Sequence, residues 1–163
     1  DKSHASMVAK ISHMGFSHYT VRFNDLDASF DYDPKSPSAS RIEVVVAAGS
    51  IDTGSASFSK ELAGDGWFDA KAYPQIKFVS QSVDLGDGQH GKVTGDLTLH
   101  GVTRRAVLDV TFNGVGSGLI PGTLRTGFSA TAVIKRSEYG MKKYETWVGD
   151  DVALLIEAEF TRK

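Results

Sequence analysis

The stretch from Gly91 to Phe112 reads GKVTGDLTLHGVTRRAVLDVTF, two alternating runs joined by His100-Gly101-Val102-Thr103. In the first run Val93, Gly95, Leu97 and Leu99 fall on one face, with Lys92, Thr94, Asp96 and Thr98 on the other. This is the period-two pattern of a half-buried strand. In the second run Ala106, Leu108, Val110 and Phe112 oppose Arg105, Val107, Asp109 and Thr111, which makes the pair an antiparallel hairpin with one dry face. Gly95 and Ala106 are small residues on that dry face. They raise the question of whether the wall is thinned there to leave room behind it.

Working outward, the same period recurs along most of the chain. Met7, Ala9 and Ile11 share a face in a first strand that stops at Met14-Gly15. Tyr19 to Phe30 reads as one long strand with a kink at Asn24-Asp25, or as two short ones, and Val21, Phe23, Leu26, Ala28 and Phe30 alternate through it. Asp33 to Ser40, rich in proline and serine, reads as an exposed loop, because proline lacks a ladder donor and serine favours local turns. Ile42, Val44, Val46 and Ala48 form the next strand, ended by Gly49-Ser50. Phe58 and Leu62, four apart, then predict a short helix from Ser55 or Ser57 to Gly64 or Gly66. Trp67 and Phe68 follow as core plugs or as the rim of a cavity.

Ile76, Phe78, Ser80 and Ser82 alternate up to Asp84-Leu85-Gly86-Asp87-Gly88, a tight hairpin turn. Gly114 to Gly122, with Pro121, reads as a flexible connection. Phe128, Ala130, Ala132 and Ile134, then Val152, Leu154, Ile156, Ala158 and Phe160, complete about eight strands with one short helix.

Composition narrows the classes of function. A chain of 163 residues is one domain's worth. Lysine plus arginine total 18 against 20 acids, so the net charge of -2 gives no footprint for a nucleic acid partner. The absence of cysteine removes disulfides, thiolate catalysis and cysteine metal sites, and is compatible with either a reducing or an oxidising compartment. The chain opens at Asp1 rather than at a methionine, consistent with a removed leader. No apolar run approaches the roughly 20 residues of a membrane-spanning helix, so no stable membrane insertion is expected.

Eight antiparallel strands can form a sandwich or close into a barrel, and closure removes exposed edges. A barrel of that size either fills with side chains or holds one small ligand. Ala9, Ala28, Ala48, Gly95, Ala106, Ala130, Ala132 and Ala158 recur among the larger dry-face residues. They either leave an apolar space or offset large residues across the taper of a filled barrel.

Several stretches resemble one family. Gly95-Asp96-Leu97-Thr98-Leu99-His100-Gly101-Val102-Thr103 is similar to the signature of the YceI-like family, bacterial polyisoprenoid-binding proteins. His4-Ala5-Ser6, Ile11 to Gly15, Ser50 to Gly54, Trp67-Phe68-Asp69, Tyr73 to Phe78, Thr126 to Ala130, Ile134 to Met141 and Val148 to Val152 resemble the family in order, so the likeness covers essentially the whole chain. The resemblance implies an all-β, lipocalin-like, eight-stranded antiparallel barrel, with one short helix, whose elongated pore holds an isoprenoid lipid such as a quinone tail or prenyl chain. It also implies export to the periplasm or beyond. The Pro34 to Ser40 loop is long and polar for the family, and its helix carries only Lys60-Glu61 of the charged cluster often found there.

Catalytic motifs are sparse by comparison. The five histidines form no His-Glu-x-x-His pattern, so no metal site is expected. His100 is expected to be structural, its ring bonding a backbone carbonyl beside a glycine that the turn requires. There is no Gly-x-Ser-x-Gly elbow, and Gly114-Val115-Gly116 has no following helical pattern for a dinucleotide.

The reading is therefore a non-catalytic carrier or scavenger, for transport or storage and without a cofactor, that buries a lipid chain against its dry face. The lining residues expected are Ile11, Val21, Phe23, Val46, Phe78, Leu97, Leu99, Leu108, Val110, Phe128, Ile134, Leu154 and Ile156, with Trp67, Phe68, Tyr139 and Met141 at the mouth or ends. Two rivals stand beside it. An enzyme acting on a quinone or prenyl lipid would need a polar group of strongly shifted pKa inside the barrel. An oligomeric interaction module, a homodimer in its simplest form, is motivated by Val45, Val79, Val107, Val133 and Leu155 on the wet faces.

Overall fold

In the computed structural model, which describes residues 1–32, 36–118 and 122–161, the alternating segments form one antiparallel sheet. Its strands are β1 (Ser6–His13), β2 (Ser17–Phe23), β3 (Leu26–Asp31), β4 (Arg41–Ala47), β5 (Ile51–Asp52), β6 (Gln75–Asp84), β7 (His90–Leu99), β8 (Val102–Ser117), β9 (Leu124–Lys135) and β10 (Val148–Thr161). One helix, α1 (Ala56–Leu62), lies where Phe58 and Leu62 predict it. The spatial order is β3-β4-β6-β7-β8-β9-β10-β1-β2-β5. Phe30 on edge strand β3 meets Phe128 on β9 and Phe160 on β10 at ring separations of 5.4 and 5.7 Å, so the sheet curls into a half-barrel with its dry face inside.

Among the described residues there are ten strands where about eight are expected. One difference arises at Asn24-Asp25, where Asn24 N donates to Ser50 O and Asp25 O accepts from Ala47 N, dividing the long segment into β2 and β3. The other is β5, two residues paired with Arg22 and Phe23, too short to show periodicity. The glycine-rich connection is also shorter than expected. β8 runs through Gly114, Val115 and Gly116 to Ser117, pairing with β9 as far as Leu124, because ladder bonds need only backbone. In the polar loop Pro37–Ala39 forms a 3-10 turn. The rest of that expectation, over 33–35, and Pro121 lie outside the described residues.

The opening hairpin has the expected register, with Val93 opposite Leu108, Gly95 opposite Ala106 and Leu99 opposite Val102. His100 and Gly101 take left-handed backbone conformations, φ 50° and 75°. The His100 ring nitrogen Nδ1 lies 3.2 Å from Tyr139 O and its ring packs on Tyr73. The turn thus ties the hairpin to the crossing before β10.

Candidate functional site

Register places the inward residues in rows across the sheet. Phe112, Phe128 and Ala158 form one row, and Val110, Ala130, Ile156, Met7 and Phe23 form the next. Leu154 and Val21 follow with Ala132 and Ala9, then Ile134, Val152, Ile11 and Tyr19. Burial divides the inner face into two regions; within these rows Met7, Ala9, Phe23 and Ala132 are buried and the rest are half-buried.

One region is filled. Phe23, Val46, Phe78, Leu97, Leu99, Tyr139 and Met141 are buried in a single cluster, which Leu62 of α1 joins. Phe68 caps Phe23 edge-on at 5.5 Å, and Phe58 caps Tyr19 at 5.3 Å. The helix and the segment after it therefore close this end. Burial raises the Tyr139 hydroxyl pKa above its ordinary value. Trp67 is half-buried on the outer side of this plug, its Nε1 donating to Glu61 Oε1 at 3.2 Å under the Lys143 ammonium.

Arg136 holds the closure together. It is 5 % exposed and donates to the carbonyls of Gly149, Met141, Lys143 and Val148 at 2.7–2.9 Å. Asp150 accepts from the backbone N–H and hydroxyl of Ser137, and the first of these bonds holds its carboxyl below the usual range.

The second region is incompletely covered. Val21, Leu108, Val110, Ile134 and Ile156 pack against the core but stay half-buried. Ile11, Phe128 and Leu154 are half-buried and stand outside the buried cluster and its packed margin. At the far end Phe30, Tyr32, Phe112, Phe128 and Phe160 form a chain of ring contacts between 5.4 and 5.9 Å. Sequence periodicity puts Phe30, Phe112 and Phe160 on the dry face but gives no sign that they converge across the sheet.

Gly95 is not a thinned wall. A Cβ there would lie 2.6 Å from the Phe78 ring, so the missing side chain makes room for a neighbour's. The half-buried small residues of the open rows are Ala130 and Ala158. A surface cleft of about 480 Å³ lies elsewhere, on the outer side of β3 and β4, lined by Lys2, Asp25, Asp27 and Glu43 among others. Its polar walls and outward position set it apart from the inner face.

The lowered carboxylates Glu43, Asp52 and Asp87 lie on the outer face or on exposed turns. Asp1, His4 and Glu159 converge at the surface, where Arg125 already pairs with both acids. On the outer face Val107, Val133 and Leu155 are exposed, whereas Val45 and Val79 are half-buried. Among the described residues no helix is long and apolar enough to cross a membrane.

A model of the YceI-like domain matches residues 1–160. The chain belongs to the YceI-like family. A UPF0312 protein of Pseudomonas putida is 40% identical over 139 residues, covering 85% of this chain and 72% of that protein. Among solved structures, BcnA of Burkholderia cenocepacia superposes with a TM-score of 0.87 at 26% identity, covering 98% of each chain. A polyisoprenoid binding domain from Saccharophagus degradans, implicated in plant cell wall breakdown, shares the fold at a TM-score of 0.66 and 16% identity, over 98% of this chain and 94% of that one. The fold of this chain is thus shared with both solved structures at 26% and 16% sequence identity.

Proposed function

We propose that this YceI-like protein is a non-catalytic carrier of a long isoprenoid lipid, held along the open rows of its inner face. The observation that carries the reading is the set of inward apolar side chains on β1, β2, β8, β9 and β10 that protein atoms leave half-buried. Burying them against a flexible hydrocarbon removes apolar area from water on both partners, at about 25 cal/mol per Å² before ordering costs. The polyisoprenoid binding of the Saccharophagus domain supports the ligand class. The lowered carboxylates Glu43, Asp52 and Asp87 sit on the outer face or on turns, and the inner group that is shifted, Tyr139, is raised by burial in the filled end, which favours carriage over chemistry on the lipid. An exported protein handing lipid between membranes fits this reading, and a homodimer through Val107, Val133 and Leu155 is compatible with it.

Binding should strengthen with chain length. Each five-carbon unit buried contributes up to about 4 kcal/mol gross, at ~0.8 kcal/mol per carbon, until the chain outgrows the open rows. Titration with isoprenoid alcohols of increasing length, against wild type and Ala130→Trp, tests this. Ala130 sits between Val110 and Ile156 in register, so an indole there would occupy the proposed path. The expected result is at least tenfold weaker binding by a folded variant. Equal affinity for all lengths, or none lost in the variant, would count against the reading.

A further inference from the structure

The end of the half-barrel where β1 turns into β2 carries large apolar side chains that stay mostly exposed, of which Tyr144 touches Trp67 at a ring separation of 5.8 Å beneath the Lys143 ammonium. Phe16 is 86% exposed, Trp147 58%, Tyr144 54% and Met14 43%. They sit on two adjoining turns: Met14 N donates to Trp147 O at 2.7 Å, Phe16 N to His13 O at 3.1 Å, and Trp147 N to Tyr144 O at 2.9 Å. Met14 and Gly15 both hold left-handed backbone, φ 55° and 73°, which fixes the turn that presents Phe16. Turn geometry accounts for the glycine but requires neither a phenylalanine nor a tryptophan at its tip, where polar residues are the norm.

Around these rings lysines slightly outnumber acids, in a chain of net charge -2, and the acids just beyond them, Asp150 and Asp151, are engaged by Ser137 and Lys135. Residues 10–18 contain Lys10, His13 and His18 and no acid, and residues 139–148 contain Lys142 and Lys143 against Glu145. Glu61 approaches Lys143 at 3.7 Å from the α1 side. Trp and Tyr, with apolar bodies and polar tips, suit a membrane–water boundary, and flanking lysines are drawn to anionic headgroups.

We propose that these two turns dock the protein on an anionic phospholipid bilayer, seating Phe16 and Trp147 at headgroup depth while the sheet stays in water. The docking does not depend on whether the inner face carries a lipid chain. It would place the protein at the surface where such a chain resides.

The chain has two tryptophans, so Trp67→Phe leaves Trp147 as the reporter. Vesicles of phosphatidylglycerol and phosphatidylcholine, free of isoprenoid lipid, keep this test separate from chain binding. The expected result is a saturable blue shift of Trp147 emission and co-sedimentation. Phe16→Ser should weaken both about tenfold, and pure phosphatidylcholine should weaken them about fivefold for each lysine that no longer meets an anionic headgroup. Phe16 is almost wholly exposed, so its replacement leaves the fold intact by circular dichroism; wild-type co-sedimentation serves if Trp67→Phe is unstable. No shift and no co-sedimentation, binding indifferent to Phe16→Ser, or self-association of the free protein that Phe16→Ser abolishes would each overturn the proposal.

Discussion

Replacing Arg136 with methionine removes a buried guanidinium while keeping an unbranched apolar stem. The four carbonyls it binds, at 2.7–2.9 Å, come from Met141, Lys143, Val148 and Gly149, so one side chain fastens the whole crossing between β9 and β10. The bond to Met141 O is buried, and leaving that acceptor unpaired costs about 1–3 kcal/mol. The other three carbonyls are part-buried and regain water, losing about 0.5–1 kcal/mol each. The expected loss is about 2.5–6 kcal/mol, read from urea unfolding at unchanged slope. Amide exchange should quicken over residues 137–148 before it does in β6 to β8, because the crossing is released first. A loss under about 1 kcal/mol, with protection of the crossing unchanged, would refute the view that Arg136 holds this end closed.

Gly95→Ala should destabilise by about 1–3 kcal/mol through overpacking, since the new methyl would meet the Phe78 ring and Val79 O; a neutral result in denaturant titration would restore the idea of spare room there. Acid should also destabilise the fold. Bonds from the His90 backbone N–H, its ring and the Gln89 N–H lower the Asp87 pKa to about 2, and Glu43, Asp52 and Asp150 are shifted the same way. Folded values below the unfolded ones mean that this stability is complete above about pH 4–5 and is lost as pH falls through the folded pKa values, toward about 2 for Asp87. A urea midpoint that stays flat or rises between about pH 5 and pH 2.5 would contradict it.

Most of the sheet is legible in period-two alternation, because one face of each strand is dry and register follows from that. His100 is legible too, since a left-handed turn beside glycine limits what its ring can reach. Gly114 to Ser117 is not: glycine signals a turn locally, but pairing with β9 overrides it. Gly95 looks like an opening because a sequence shows the missing side chain and not the Phe78 ring that fills its place. Arg136 carries no sequence sign of its burial, since arginine is rarely buried without a carboxylate, and only the folded crossing brings four carbonyls around it. The ring cluster from Phe30 to Phe160 depends on curling of the whole sheet, which no local window contains.

Whether the open rows of the inner face hold an isoprenoid chain is decided by what the folded protein carries. Native mass spectrometry of protein purified from its own host, followed by solvent extraction, reads this without any added probe. The expected result is an adduct whose extracted component is a long isoprenoid lipid, reduced or lost in Ala130→Trp. Well-folded protein that yields no lipid and binds no added isoprenoid quinone would contradict a carrier role.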